Sequence, residues 1–335
     1  MKNIKNIEQK LSHHAFNARL LYKELQNRKI KLSALEGTKY FTLAFYNSHL
    51  EMLYGVTNSA LAFSTGTIID DKYYVKKYLE MNGFNVLPGR VFTEKTLSEA
   101  LEYAEALQFP VVLKPTTGSH GDFVLLDIKS KKELKQKINY FLKQGFGNGF
   151  YLIEKQYTGD EYRLFITKKG YFAAVSRIPA NITGDGKHTV RQLVELENYR
   201  RMHPRATCLC EIPFDQVTKE NLKQQGIAFN SILKKKQKVF LRKNSNVSTG
   251  GNCHEITKNV HPDFIKLAKN ILSSFGDISF IGIDIMCKDI TKPLKNYIIC
   301  ELNSTPGLSL HMLPENGKPR NVAAAIVDTL FPETI

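Results

Sequence analysis

Three oxygen-bearing side chains stand in apolar runs where a carboxylate is expensive to bury. Asp284 lies between Ile283 and Ile285, while Glu301 and Asn303 close the run Tyr297-Ile298-Ile299-Cys300. Both runs are of strand type. Residues two apart on a strand share a face, so Glu301 and Asn303 point the same way. Burying such groups among Ile, Met and Cys costs several kcal/mol unless something positive compensates. The hard oxygen set Asp, Glu, Asn suits Mg²⁺, and a metal site of Asp284, Glu301 and Asn303 is the chemical reading. Its plain rival, acids at strand ends facing water, fits a lone Asp284 better than it fits the Glu-Leu-Asn triplet.

A second constellation joins a lysine to a glycine turn. The strand Val111 to Lys114 ends on the lysine, and Gly118-Ser119-His120-Gly121 follows. Glycine lets backbone N–H groups approach a phosphate, and Lys114 supplies a point charge, so a phosphate-covering hairpin is expected beside the alternative of a merely structural turn. Tyr151 to Glu161 carries a strand, a break at Gly159 and a second strand. Its Glu154-Lys155-Gln156-Tyr157 stretch could grip a flat heterocycle through backbone amides, with Glu161 available to a ribose hydroxyl. Ser248-Thr249-Gly250-Gly251 offers hydroxyls beside backbone N–H groups, which suits a carboxylate or phosphate, whereas a plain turn needs the glycines alone.

The elements that position these groups follow from periodicity. Residues 4–28 carry apolar positions three and four apart and predict an amphipathic helix, with His13 and His14 as ordinary surface or core residues. Strand-like runs at 40–46 and 59–63 follow. Asp71 then begins a helix that Asn82-Gly83 closes. Next come a strand-like 84–90 containing Pro88, a helix from 97 to 107, and the strands 111–114 and 123–127. A helix from 131 to 146 and strands at 151–155, 161–167 and 171–177 complete the middle. A glycine-rich loop leads to a helix from Val190 to about Arg201. Residues 202–245 read as a polar, basic insertion; a helix over 262–275 and a closing helix after Pro319 finish the chain. This order predicts an α+β protein, mostly antiparallel, with a lobe at 1–70, a small lobe at 71–155 and a large lobe at 156–335.

At 335 residues and 42% apolar the chain suits two or three packed lobes. No apolar window approaches the ~20 residues of a membrane span, and the N-terminus lacks the core of a signal peptide. Cys208, Cys210, Cys253, Cys287 and Cys300 are odd in number and lack zinc or redox spacing, even with His203 beside the first pair. They predict reduced thiols in the cytoplasm. The 47 Lys and Arg against 32 Asp and Glu leave +15, which attracts anions. The charges are dispersed along the chain, which argues against nucleic acid; a homo-oligomer is left open.

The ordered set Asp71-Lys72, Lys114 with its glycine turn, Glu154-Lys155, Glu161, Asp284, Glu301 and Asn303 resembles the ATP-grasp superfamily of carboxylate–amine ligases. Three longer strings narrow the resemblance to the ATP-grasp module of cyanophycin synthetases and of the bifunctional glutathione synthetases. They run from Arg177 to Thr189, from Asn246 to Gly251, and from Glu301 to Gly307 with His311 and Gly317 to Arg320 beyond. The resemblance implies an ATP-grasp fold, two α+β lobes gripping the nucleotide after a small leading lobe. It implies that Lys72 and Lys114 hold ATP phosphates under the turn of Gly118, Ser119, His120 and Gly121. Glu154, Lys155 and Tyr157 would face adenine, and Glu161 the ribose. Asp284, Glu301 and Asn303 would carry two Mg²⁺, with Mn²⁺ as a substitute. Arg177 would act with Lys114 in catalysis, and Arg177, Asn181, Ser248, Thr249, Gly250, Gly251, His311 and Arg320 would meet amino-acid or short-peptide substrates.

The implied reaction is amide formation through an acyl phosphate. Asn181 stands where many cyanophycin-type enzymes have histidine and leans toward the glutathione type, whereas the ending after Asn303 leans the other way. Cyanophycin synthetases also carry a further C-terminal ligase domain, which residues up to Ile335 do not include. A nucleotide binder without turnover and a small-molecule kinase are the readings from other classes.

Overall fold

The computed structural model describes residues 15–34, 40–118, 123–145, 149–203 and 207–335. Helix α1 (Phe16–Asn27) buries Ala18, Leu21, Tyr22 and Leu25, and the strands β1 (Lys31–Ala34), β2 (Phe41–Tyr46) and β3 (His49–Tyr54) form an antiparallel meander. The expected helix over 4–28 is thus seen from Phe16, and its first part lies outside the described residues. The strand-like run 59–63 is not a strand: α2 (Phe63–Asp70) begins at its end. Short apolar runs do not distinguish strand from buried helix. Helix α3 (Lys72–Met81) starts as expected, because the Asp71 carboxylate accepts from the N–H groups of Tyr73 and Tyr74 at 2.9 Å each.

The small lobe is a four-stranded antiparallel sheet, in the order β4 (Gly89–Thr93), β7 (Phe150–Lys155), β5 (Val111–Lys114), β6 (Leu125–Ile128). The strand expected over 84–90 starts only at Gly89, since Pro88 has no N–H to give a ladder. Helices α4 (Leu97–Ala106) and α5 (Lys131–Lys143) cover one face through Ala100, Ala104, Leu134, Ile138 and Phe141. The opposite face carries Lys114 and Glu154.

A five-stranded antiparallel sheet organises the rest, in the order β12 (Asn252–Glu255), β9 (Phe172–Ile178), β8 (Asp160–Thr167), β13 (Phe280–Cys287), β14 (Ile298–Asn303). Helix α8 (Pro262–Ser274) lays Phe264, Leu267, Ala268, Ile271 and Leu272 on one face, against Tyr162, Leu164, Ile166, Ile283 and Ile285. Burial of each such side chain contributes about 1.5–3 kcal/mol. On the other face, Phe165, Ala173 and Phe280 pack with α1 and α10 (Val322–Leu330), so the leading segment shares a core with the chain's last helix.

Residues 202–245 are more ordered than an insertion suggests. β10 (Asn181–Thr183) pairs with β11 (Lys238–Phe240), and α6 (Val190–Met202) and α7 (Gln216–Gln224) close over them on a core of Ala180, Ile182, Val190, Val194, Ile212, Leu222, Leu233, Val239 and Leu241. The short α9 (Ser309–Met312) follows β14. No helix among the described residues is long and apolar enough to cross a membrane, and the five cysteines are free thiols.

Candidate active site

Strand alternation on the five-stranded sheet puts one row of charges on one face. Glu161 stands opposite Arg177, Arg163 opposite Asp284, Asp284 opposite Glu301, and Gly282 opposite Asn303. The neighbours between them point into the α8 core. Asp284 is 5% exposed. Its carboxylate accepts from Arg163 Nε, from Arg163 Nη2 at 2.8 Å and from Arg177 Nη1 at 3.2 Å. Arg177 Nη1 also lies 2.7 Å from Glu161, and its Nη2 donates to Asn246 Oδ1, while Glu161 accepts from the Ser245 hydroxyl. Burial pushes the Asp284 carboxyl up, yet Arg163 and then Arg177 outweigh it and hold the group below its ordinary value. Two guanidiniums thus offset the burial of Asp284, beside whatever a cation would add.

The small lobe presents a second cluster. Glu154, 3% exposed, lies between Lys114 Nζ and Lys76 Nζ, the latter at 2.5 Å. Burial opposes its ionisation, but Lys114 and Lys76 hold the carboxyl below its ordinary range. Gly89 makes the room, since a Cβ there would come within 2.8 Å of Glu154 Cγ and 3.3 Å of Lys76 Cε. From α3, Lys72 Nζ donates to Gly118 O at 2.7 Å and lies 3.4 Å from Glu301 Oε1, so it joins the backbone at Gly118 to the acid row. Ser119, His120 and Gly121 lie outside the described residues.

Several expected contacts are spent within the protein. Lys155 N–H donates to Pro88 O at 3.1 Å and Gln156 N–H to Pro110 O at 3.3 Å, so these two amides of the adenine segment are occupied. The Lys155 ammonium donates to Gln108 O, and the Tyr157 hydroxyl to Asn296 O at 2.7 Å. Asn181 Nδ2 donates to Pro179 O at 2.8 Å, and Arg320 Nε to Glu255 Oε1 at 2.9 Å. In the turn after Ser248, the N–H groups of Thr249 and Gly251 donate to Asn246 O and that of Gly250 to Val247 O. The reading of free N–H groups there is corrected; the glycines serve close packing. A Cβ at Gly251 would lie 2.4 Å from Ser245 O and 2.8 Å from Asn246 O, the backbone of the residues that hold Glu161 and Arg177. Gly251→Ala should therefore lower the unfolding free energy by about 1–3 kcal/mol in urea titration.

His311 is wholly buried against Phe165, and neither ring nitrogen has a hydrogen-bond partner. Burial, with Arg163 adding to it and Asp284 opposing, pushes its pKa down to about 3 from 6.5. The unfolded chain takes up a proton below pH 6.5 that the folded chain refuses, so stability falls as pH drops from 6.5 toward 3. Between pH 7 and pH 5 this group should remove about 2 kcal/mol, a loss that His311→Leu should lack in paired denaturation curves.

Sequence reasoning missed Arg163 and Lys76. That Arg163 shares the strand face of Glu161 was legible from alternation; that it meets Asp284 was not. Lys76 had no local signal, since a helix lysine is ordinarily a solvated one. A cavity of about 740 Å³ adjoins the row where β14 ends, lined in part by Tyr40, Tyr54, Leu61, Asp70 and Ser304. The Ser304 hydroxyl donates to Asp70 and fastens this wall.

The residues present fit a divalent cation. Among the described residues no three Asp, Glu, His or Cys side chains gather for an ion, so a cation here would draw on the side-chain oxygen of Asn303 beside Glu301. Glu301 is the most open acid of the row, its side chain 33% exposed against 25% for Glu161 and 7% for Asp284. Lys72, Lys76, Lys114, Arg163 and Arg177 nearly balance Glu154, Glu161, Asp284 and Glu301. A triphosphate added to so balanced a site needs accompanying cations.

Two lobes, each an antiparallel sheet with helices, facing each other across this charge row define the ATP-grasp fold. The chain is similar to the cyanophycin synthetase of Crocosphaera subtropica, 31% identical over 318 residues, which is 93% of this chain and 36% of that protein. It is also similar to the glutathione biosynthesis bifunctional protein of Pasteurella multocida, 29% identical over 324 residues, 94% of this chain and 42% of that one. The crystal structure of a bifunctional glutathione synthetase from Pasteurella multocida superposes with a TM-score of 0.68 at 27% identity, covering 96% of this chain and 44% of that chain. The chain thus spans well under half the length of these relatives. No family model matches it.

Proposed function

We propose that the protein is an ATP- and Mg²⁺-dependent carboxylate–amine ligase acting on an amino acid or short peptide. The observation that carries this reading is the continuous charge row, in which Lys72 ties the turn at Gly118 to Glu301 and Lys114 sits on the facing lobe. Lys72 and Lys114 bind the nucleotide's phosphates, and the buried Glu154 keeps Lys114 in place. Glu301 and Asn303, with Asp284 behind them, hold Mg²⁺, which supplies neutralisation of phosphate charge when bound. A substrate carboxylate oxygen attacks the γ-phosphorus and ADP leaves. The amine then attacks the carbonyl carbon of the acyl phosphate, phosphate leaves and a proton is released, giving the amide. Arg177, fixed by Glu161, Asp284 and Asn246, is positioned to meet the negative charge that develops on the acyl group. The similarity to the cyanophycin synthetases favours an amino-acid or peptide acid, and the crystal structure that superposes on the chain favours a glutathione-type second reading. The free thiols are consistent with work in the reducing cytoplasm.

Mixing the protein with ATP, Mg²⁺ and pools of amino acids and dipeptides tests this. ADP should form only with particular acid–amine pairs, with a product one water lighter than their sum. Amine-independent ADP with a lasting phosphorylated product would make it a kinase; silence with every pool would make it a binder.

A further inference from the structure

Away from the charge row, a cavity of about 690 Å³ opens in the helical unit over β10 and β11, within the ~300–1,000 Å³ usual for ligand pockets. Residues 184–243, which contain it, hold thirteen Lys and Arg against six Asp and Glu, a large part of the chain's excess of +15. Its wall is built around Arg191. The guanidinium carbon lies 5.2 Å from the ring centre of Phe214 and 5.3 Å from that of Phe229, and the two rings are 5.5 Å apart. These three separations make a nearly equilateral triangle, so both rings lie to one side of the guanidinium and its other side stays open, N–H edge included, to a planar acceptor.

No carboxylate pairs with Arg191, Lys219 or Lys223 among the described residues. The one acid of the lining, Asp215, is already engaged by Arg242 Nη2 at 2.5 Å and by the Thr218 N–H at 2.9 Å. Lys219 and Lys223 stand one turn apart on α7, and the N-terminal ends of α6 and α7, at Thr189 and Asp215, both line the cavity, so their dipoles add to the positive field. Leu222, Ile227 and Ala228 supply an apolar side. The matching ligand is an anion with a planar acceptor head and a short apolar stem.

We propose that this cavity binds a carboxylate-bearing residue of a peptide substrate, at a distance from the bond being made. Its location supports that use, and this part rests on the ligase reading. Arg242, which holds Asp215, is three residues from Ser245, which donates to Glu161, and such a step spans at most about 11 Å. Between them Lys243 reaches Asp127 of the small lobe at 2.6 Å.

Calorimetric titration of the full chain without nucleotide, at fixed ionic strength, tests binding independently of turnover. The probe is acetylated, amidated tri-glutamate, with the tri-alanine analogue as neutral control. Saturable binding of the first alone is expected. Arg191→Lys, which keeps charge and loses the fork, should weaken it about tenfold, and so should Lys219→Gln with Lys223→Gln. Turnover of single amino acids should stay unchanged in these variants while KM for acidic peptides rises at constant kcat. No saturable binding at millimolar peptide, or binding indifferent to both variants, would overturn the site. Equal competition by inorganic phosphate would overturn its preference for carboxylates. The calorimetric results, unlike the kinetic ones, do not depend on whether the chain makes amides.

Discussion

Glu301→Gln should leave the protein folded and reduce turnover by about 100-fold or more. The substitution is isosteric, and the contact it weakens, to Lys72 at 3.4 Å, is long and open to solvent on the Glu301 side, so it contributes little stability. What it removes is the most accessible negative charge of the row, on the strand face shared with Asn303. In the ligase reading that charge helps to hold the cation that makes a triphosphate tolerable beside four carboxylates. The checks are thermal unfolding, unchanged to within a few degrees, and ADP release with the best acid–amine pair. An active Glu301→Gln protein would remove Glu301 from the metal site.

Arg163→Met should be the most damaging single change to stability. Arg163 and Asp284 are both buried and bonded twice, and without the guanidinium Asp284 keeps only Arg177 Nη1 at 3.2 Å. Taking one partner from a buried ion pair strands a charge and costs about 3–5 kcal/mol, whereas an exposed pair would cost little. Urea titration should show this loss, and Arg163→Lys should recover only part, since an ammonium cannot fill both bonds of the fork. A loss below about 1 kcal/mol would mean that the guanidinium is not what makes Asp284 bearable.

The ATP-grasp fold was legible through the resemblance of whole strings, and the charged face for a physical reason: strand alternation is local. Glu301 and Asn303, two apart on one strand, share a face before any pairing is known, and only the register of β13 on β14 then places Asp284 opposite Glu301. What compensates Asp284 was not legible, because Arg163 is 121 residues away and meets it only through the pairing of β8 with β13. The same limit hid Lys76, which meets Glu154 from a different element. Gly250 and Gly251 illustrate another limit. Glycine in sequence signals freedom of the backbone, which Gly250 uses at φ +89°, but both positions also answer to closeness, with Ile212 and Ser245 O where a side chain would be. Residues 202–245 were obscure because their few apolar positions, such as Ile212, Leu222 and Leu233, find each other across a loop rather than along a helix or strand.

The central claim is that the acid row and its lysines activate a carboxylate with ATP. An acid substrate labelled with oxygen-18 in its carboxylate, supplied with the amine, ATP and Mg²⁺, tests it through the mass of the phosphate released. The account predicts that each phosphate carries one labelled oxygen from the acid. Amide formation with unlabelled phosphate would contradict it.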